Sequence, residues 1–256
     1  MNTGTCRCRV LETGYLRCVS KPFTIVSWNI FQGLHHTANR RAWTLNPRVE
    51  DHLEALNADV LVLPEAWRFG QRQATWAEEL AERLGYDLHQ WVADRPSRKR
   101  ETVPWRMVML TRIPTRPLPP QIMPQFGSFG QRAIVRAELV DSGLTIAAAH
   151  LYGIHLVRST TPRAWIRERR ELEVTAASND IVVGDLNMWG PIVRRDATPL
   201  RSAVRGRTFP AKRPHSQIDH LLVSSQVEVL SSQVLPEMGS DHRAIRATLQ
   251  ALTSGV

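Results

Sequence analysis

Short apolar runs alternate with helical segments from Phe23 onward, and this alternation constrains the fold more than any other feature. The runs "FTIVS", "VLVLP" and "IVVGD" are rich in β-branched residues and too short for helices, which predicts buried strands. Between the first two lies "NPRVEDHLEALNAD", where Val49, Leu53 and Leu56 have helical spacing and Asn46 is the predicted N-cap. The pattern therefore predicts an α/β domain with helices packed outside sheets.

Similar patterns extend along the rest of the chain. A second helix is predicted in "QATWAEELAERLG", with Gly85 as its stop, and a third in "TPRAWIRERRELEVTAAS". A hairpin is predicted to turn at 141–143. Residues 191–216 are rich in Pro and Arg, and we expect a long active-site loop there rather than a linker, because strands flank it on both sides.

Length and composition indicate one globular domain. The chain has 256 residues, of which 43% are hydrophobic, enough for a sizeable core. The start of the chain lacks the apolar core of a secretory signal, so a cytoplasmic protein is expected. We expect residues 1–22 to be a disordered extension and 23–251 to be a single domain. The extension holds Cys6, Cys8 and Cys18, whose C-x-C spacing without a nearby His argues against a zinc or redox site.

The charge balance favours an anionic partner. Net charge is +9, and the cations are nearly all arginine, since the only lysines are Lys21, Lys99 and Lys212. Arginine binds phosphate oxygens in a bidentate manner, so the excess suits a polyanion. The alternative is an arginine-rich proteome, in which a GC-rich genome raises arginine content without selection for function.

Polar side chains follow several predicted strands at the point where each strand ends or begins. They are Asn29, Glu65, His150, Asp185, Asn187, Asp219, Asp241 and His242. Each alone is explained by a turn, a helix cap or a satisfied core histidine. Together they would cost several kcal/mol to bury unless they serve one another or a cation. Their oxygens suit Mg²⁺, and motifs for a serine nucleophile, a P-loop or a dinucleotide fold are missing, so the set predicts metal-assisted attack of water on phosphorus.

The ordered series "SWN", "LPE", "AAAHL", "GDLN", "IDH" and "SDH" resembles the endonuclease/exonuclease/phosphatase superfamily, from about Phe23 to Leu249. This group includes DNase I, exonuclease III-type repair nucleases, neutral sphingomyelinases and inositol polyphosphate 5-phosphatases. "MLTRIP" resembles its Ser-Arg-x-Pro strand end, with Thr111 in place of Ser. The resemblance implies a four-layer α/β sandwich, in which two packed mixed β-sheets are flanked by helices and the active site lies at one end.

Two positions place the resemblance nearer the DNase I and sphingomyelinase branch than the exonuclease III branch. His150 stands where the repair nucleases have Tyr, and Phe31 stands where they have an acid. Pro64 precedes Glu65 where Gln is common in the family, which we expect to alter the support of that ligand without removing the metal.

The resemblance also implies residue roles. The implied metal ligands for Mg²⁺, or alternatively Mn²⁺, are Glu65, Asn29 and Asp241. The implied catalytic residues are Asp185 and Asn187 for the water and a phosphate oxygen, His242 oriented by Asp219, and His150 at the phosphate or the leaving oxygen. The expected substrate-binding residues are Arg112, Arg158 and Trp189.

The predicted function is a Mg²⁺-dependent phosphodiesterase, foremost a nuclease that acts on DNA or RNA. The alternative is a phosphatase or phospholipase C-like hydrolase, and a lesser one is a non-catalytic phosphate-ester-binding protein. The segment "PLPPQIMPQFGSFG", residues 117–130, either docks on a membrane or covers the sheet, and we favour covering. A monomer without stable membrane insertion is expected.

Overall fold

The computed structural model describes residues 7–10, 16–34, 46–66, 75–96, 102–124, 131–153 and 162–254. The strands are β1 (Arg7–Val10), β2 (Leu16–Val19), β3 (Phe23–Ser27), β4 (Val60–Pro64), β5 (Asp87–Pro96), β6 (Thr102–Thr111), β7 (Thr115–Ile122), β8 (Ala133–Leu139), β9 (Thr145–His150), β10 (Ile181–Asp185), β11 (Arg201–Ser202), β12 (Asp219–Val223), β13 (Val227–Val234) and β14 (Ile245–Ser254). The helices are α1 (Val49–Leu56), α2 (Trp76–Leu84), α3 (Pro162–Ala177) and α4 (Gly190–Asp196), with a 3-10 turn at Phe31–Gly33.

The strands form two mixed sheets. The larger has the order β1-β2-β14-β3-β4-β6-β5, with β13 also paired to β14, and the smaller has the order β11-β12-β10-β9-β8-β7. In each sheet the central pair is parallel, β3 with β4 and β9 with β10, and the other pairs are antiparallel. Parallel strands end at the same edge of a sheet, so both sheets gather strand ends at their centres.

Three apolar clusters define the layers. Between the sheets, Ile25 and Met109 of the larger sheet pack with Val183 of the smaller. Neighbouring strand residues point to the opposite faces, as the period of two requires. On those outer faces α1 and α2 cover the larger sheet, and α3 and α4 cover the smaller through Leu172 and Val193. This arrangement confirms the predicted four-layer α/β sandwich. Among the described residues, none of the helices combines the length and apolarity that crossing a membrane requires.

The structure differs from the sequence predictions at the N-terminus and in one connecting segment. Within 1–22, where a disordered extension is expected, β1 and β2 form a hairpin that pairs with the C-terminal end of β14. Local composition does not reveal this pairing, because the partner strand lies more than 200 positions away. Residues 191–216, expected as a loop, include most of α4 and the short β11.

The prediction for Asn46 is wrong in detail. It lies three residues before Val49, the first residue of α1. Its Oδ1 accepts the backbone N–H of Arg48 in a local turn, so it does not cap the helix. The Pro-rich start of 117–130 belongs to strand β7, which tolerates prolines because it lies at the edge of its sheet. Gly85 does end α2 in the left-handed conformation, as predicted.

Candidate active site

The strand registers bring the polar residues of the smaller sheet to one edge. Asp185 at the end of β10 pairs with His150 at the end of the parallel strand β9. It also pairs with Asp219, where the antiparallel strand β12 begins. Three chemically active side chains from distant parts of the chain therefore lie side by side.

Strand ends of the larger sheet lie at the same edge as Asp185, His150 and Asp219. Ser27 of β3 pairs with Val62 of β4 and with Ile245 of β14. Consequently Asn29 and Glu65 follow strand ends at this edge, and His242 precedes the start of β14.

The Asp185 carboxylate, on the smaller sheet, contacts side chains that follow or precede strands of the larger sheet. Its Oδ2 accepts a hydrogen bond of 3.0 Å from Asn29 Nδ2 and lies 3.5 Å from His150 Nε2 and 3.8 Å from His242 Nε2. His150 Nε2 in turn lies 4.0 Å from Glu65 Oε1. Burial raises the pKa of Asp185 to about 7, although His242, Asn29 and the backbone of Asn187 favour its charged form.

His242 and Asp219 form a buried pair. His242 Nδ1 lies 2.9 Å from Asp219 Oδ2 and 3.2 Å from Oδ1, so the ring presents Nε2 toward Asp185. Burial by itself would lower the pKa of His242, but the charges of Asp219 and Asp185 outweigh it and raise that pKa well above the usual range. The pair therefore favours the protonated form of the imidazole.

A glycine lets the two central strands of the smaller sheet approach. Gly184 has φ of 144°, and a Cβ there would lie 1.9 Å from the carbonyl oxygen of Ala149. No side chain fits at that distance. The glycine of "GDLN" thus allows Asp185 to reach the edge beside His150.

Comparison with known proteins agrees with this geometry. The profile of the "Endonuclease/Exonuclease/phosphatase family" matches residues 26–242. The chain belongs to this family. The match confirms the prediction of a phosphoric ester hydrolase. A search of curated proteins finds no significant relative.

Solved structures of low sequence identity share the fold. An endonuclease/exonuclease/phosphatase from Beutenbergia cavernae is 19% identical, with 91% of this chain and 72% of that chain covered, at a TM-score of 0.66. The human Nocturnin catalytic domain with bound sulfate is 17% identical, with 91% and 95% covered, at 0.58. Humanized D. rerio TDP2 is 16% identical, with 90% and 99% covered, also at 0.58. The preference for the DNase I branch stays a prediction.

Two groups of side chains at this site have atoms that could bind a metal ion. Oxygen and nitrogen atoms of Asp185, Asp219 and His242 lie within 4.8 Å of one another, and this buried group could hold a metal. However, Asp219 and His242 already satisfy each other. The second set is Glu65 and Asp241, whose side chains are 17% and 16% exposed. Burial and then the charge of Asp241 raise the pKa of Glu65, a repulsion that a bound cation would relieve.

The support of Glu65 comes from a residue that the sequence analysis missed. Gln32 Nε2 donates to Glu65 Oε2 at 3.3 Å, and both residues have left-handed backbones, with φ of 59° and 55°. Pro64, which stands where Gln is common, ends β4 and lends no polar side chain. The signal for Gln32 was its place three residues after Asn29 in "NIFQG".

The predicted ligand role of Asn29 has weaker support than the others. Its Oδ1 accepts the backbone N–H of Phe31 at 3.0 Å while its Nδ2 donates to Asp185. Both ends of the amide are engaged within the protein, so the geometry makes Asn29 an orienting partner of Asp185. Ser240, also missed, donates to the carbonyl oxygen of Asn29 at 2.6 Å and accepts the N–H of His242 at 3.2 Å. It stands directly before the "DH" pair that the sequence analysis selected.

The three expected substrate-binding residues have different outcomes. The prediction for Arg112 is wrong, because β6 runs antiparallel to β4 and its end pairs with Val60 at the start of β4. Arg112 thus lies at the opposite end of the sheet from Glu65, where it stacks on Tyr86 at 4.2 Å. Trp189 is 60% exposed and lies two residues after Asn187, so its role stays a prediction. Arg158 lies outside the described residues.

Proposed function

We propose that this protein is a Mg²⁺-dependent phosphodiesterase that hydrolyses nucleic-acid strands. The observation that supports this most strongly is the buried Asp219–His242 pair, which presents His242 Nε2 toward Asp185 across the two sheets. A cationic donor then faces a carboxylate whose pKa lies near neutrality. In one cleft, the carboxylate can activate a water molecule and the imidazolium can stabilise the negative charge that develops on the phosphate oxygens in the transition state.

The proposed roles follow from the protonation states. Asp185 accepts a proton from the attacking water, since its pKa of about 7 suits a base at neutral pH. His242 donates from Nε2 to a non-bridging phosphate oxygen. As the water oxygen bonds to phosphorus, the bond from phosphorus to the leaving oxygen breaks, and the leaving oxygen takes its proton from solvent. Burial, Arg132 and His242 lower the pKa of His150 well below its usual range, so we assign it as a neutral hydrogen-bonding partner of the phosphate rather than an acid. Asn187, whose Nδ2 donates to Leu151 O at 2.9 Å, is held beside the same phosphate.

Glu65 and Asp241 are the residues that we propose would hold the cation. They are carboxylates, partly exposed at the cleft and mutually repulsive, which fits a hard divalent ion. When bound, Mg²⁺ supplies charge neutralisation of the phosphate oxygens. Gln32 orients Glu65, and Asn29 orients Asp185.

The surface next to the site supports a nucleic-acid substrate. The segment 203–217 packs against the catalytic histidine, because the Phe209 ring lies 4.9 Å from the His242 ring and Ala211 N donates to Asp241 O at 2.7 Å. Its exposed cations are Arg205, Arg207, Lys212 and Arg213, and the exposed Arg194 and Arg195 precede it on α4. The segment contains no Asp or Glu. A cationic wall suits a phosphate backbone, and the exposed Trp189 suits a stacked base.

The described part of 117–130 gives little support to membrane docking. Met123 is 1% exposed and packs in the cluster between the smaller sheet and its helices, whereas Ile122 is 44% exposed. Phe126 and Phe129 lie outside the described residues. We therefore keep the covering role for this segment and treat lipid and small phosphate esters as the other outcomes of a substrate test.

The first test separates catalysis from binding. Hydrolysis of bis-p-nitrophenyl phosphate is measured with Mg²⁺ and with EDTA, for the wild type, Glu65→Gln and the control Glu138→Gln, whose carboxylate pairs with Arg116. We expect metal-dependent hydrolysis that falls at least ~100-fold in Glu65→Gln and is unchanged in the control. Absence of metal-dependent release by pure wild-type protein would favour the non-catalytic alternative.

The second test identifies the ester. Single-stranded DNA, plasmid DNA, RNA, sphingomyelin and inositol phosphates are compared at increasing salt. We expect cleavage of nucleic acid, weakening steeply between about 50 and 200 mM salt because backbone binding releases counterions. Cleavage of sphingomyelin alone, or a rate insensitive to salt, would refute the substrate and leave the phosphodiesterase chemistry standing.

A further inference from the structure

Two buried ionisable residues outside the proposed chemistry contact the turn that carries His150. Arg132 precedes β8 and is 4% exposed, and Glu168 lies in α3 and is 3% exposed. Burying such groups is costly unless they are compensated by hydrogen bonds and opposite charge. Their contacts converge on the backbone of residues 150–152.

Arg132 binds the carbonyl side of this turn. Its NH1 donates to the carbonyl oxygens of His150, at 3.0 Å, and of Leu151. Its guanidinium also lies 4.0 Å above the ring of Tyr152, which fixes the plane of the group. One nitrogen thus donates to two successive carbonyls while the planar group stacks on an aromatic ring, and a lysine ammonium lacks the plane that such stacking requires.

Glu168 binds the amide side of the same turn. Its Oε2 accepts the backbone N–H of Tyr152 at 3.0 Å, while its Oε1 is buried without a hydrogen-bond partner among the described residues. Burial raises the pKa of Glu168 to about 7, whereas Tyr152 N–H and the charge of Arg132 lower it. Burial likewise lowers the pKa of Arg132 to about 10, against the opposing effects of Tyr152 and Glu168.

We infer that Arg132 and Glu168 form a clamp, called here the His150 clamp, which fixes the backbone of residues 150–152 and so positions His150. Both are positioning residues because both bind the backbone of the turn that carries His150. The charges of Glu65 and Asp185 also act on Arg132, where they raise its pKa against the effect of burial. The consequence for the proposed reaction is that His150 Nε2 stays 3.5 Å from Asp185 and 4.0 Å from Glu65. This inference rests on the proposed function for its kinetic effect, but not for its structural effect.

The clamp is additional to the contacts that hold the strand itself. Leu151 N donates to Asp185 O at 3.0 Å, and Asn187 Nδ2 donates to Leu151 O. Those bonds keep the end of β9 beside β10 without Arg132. Loss of the clamp should therefore rotate the turn rather than unfold the sheet.

The kinetic test uses Arg132→Met, Arg132→Lys and the matched control Arg136→Met. Arg136 lies on β8, four residues further on, and also donates to a side-chain oxygen and a backbone carbonyl, those of Asn179 and Ser178. For Arg132→Met we expect kcat on bis-p-nitrophenyl phosphate to fall roughly 10–100-fold with KM nearly constant. Arg132→Lys should recover part of the loss, and the control should keep kcat. The inference would be overturned if Arg132→Met and Arg136→Met lost the same kcat for the same loss of Tm, because the effect would then follow from stability alone.

A second measurement does not require activity. NMR of the His150 imidazole and hydrogen exchange of the Tyr152 amide are compared in the wild type, Glu168→Gln and Glu168→Leu. We expect a shifted His150 resonance and faster Tyr152 exchange in Glu168→Leu, and a smaller change in Glu168→Gln, which keeps an oxygen acceptor. If both signals of Glu168→Leu match those of the wild type, the clamp is wrong. If the signals of Glu168→Leu change but the wild-type protein has no hydrolytic activity, only the proposed function is refuted.

Discussion

The sharpest prediction concerns replacement of the buried carboxylate beside the catalytic histidine. Asp219→Asn keeps the shape of the side chain and removes only its charge and one acceptor oxygen. In the wild type, Asp219 is fully buried and its Oδ2 lies 2.9 Å from His242 Nδ1. The substitution should therefore change the protonation of His242 while leaving the packing of β12 unchanged.

The magnitude follows from the distance. Two unit charges 2.9 Å apart, at an effective dielectric constant of about 20, interact by about 6 kcal/mol. The charges of Asp185 and Asp241 remain and offset part of the loss. Each 1.4 kcal/mol is a factor of ten, so we expect kcat to fall roughly 10³-fold.

The sign of the pH effect is fixed by the same pair. The pKa of His242 is raised in the wild type, so the imidazolium persists to high pH and the rate falls only as the pH passes that pKa. In Asp219→Asn the pKa falls, and the alkaline limb of the rate profile should move to lower pH.

The assay is the pH dependence of kcat for bis-p-nitrophenyl phosphate, with circular dichroism and Tm as checks of folding. Asp196→Asn is the matched control, because Asp196 is also buried beside a cation, accepting 2.9 Å hydrogen bonds from Arg169 and Arg195. We expect the control to lower Tm and keep kcat. A folded Asp219→Asn enzyme with kcat within threefold of the wild type would refute the assignment of His242.

Three further predictions test other parts of the structure. Gly184→Ala should cost at least ~3 kcal/mol in urea unfolding, because the new Cβ would meet a carbonyl oxygen of β9 at 1.9 Å, whereas Gly143→Ala, with open space, should cost only about 1 kcal/mol. Arg112→Met should lower stability by about 1 kcal/mol and leave kcat and KM unchanged, and a raised KM would restore its predicted substrate role. Gln32→Leu should raise the Mg²⁺ concentration for half-maximal rate ~10-fold through loss of its hydrogen bond to Glu65, and an unchanged titration would contradict this role.

The fold was predictable because its signals are local and repeated. Each central strand is a short apolar run with a polar residue at its end, and parallel neighbours bring those ends to one edge, as Asp185 and His150 show. The prediction of Arg112 as a substrate-binding residue failed because it assumed the wrong strand direction. Its strand looks like the others in sequence, but β6 is antiparallel to β4, so its end points away from the site. Strand direction depends on pairing, which a single strand does not encode.

The supporting residues escaped prediction because they act through the backbone of distant segments. Ser240 binds the carbonyl oxygen of Asn29, 211 positions away, and Arg132 binds carbonyls 18 and 19 positions away. A backbone carbonyl is present in every residue, so a side chain that donates a hydrogen bond to one needs no particular residue type as its partner. No sequence motif therefore indicates the pair. A buried arginine is nevertheless informative once its exposure is known, because its charge must be offset nearby. Here the opposing charges include those of Glu168, Glu65 and Asp185. The turn that Arg132 and Glu168 both bind is the one that carries His150, so burial identifies the supporting residues that motif reading does not.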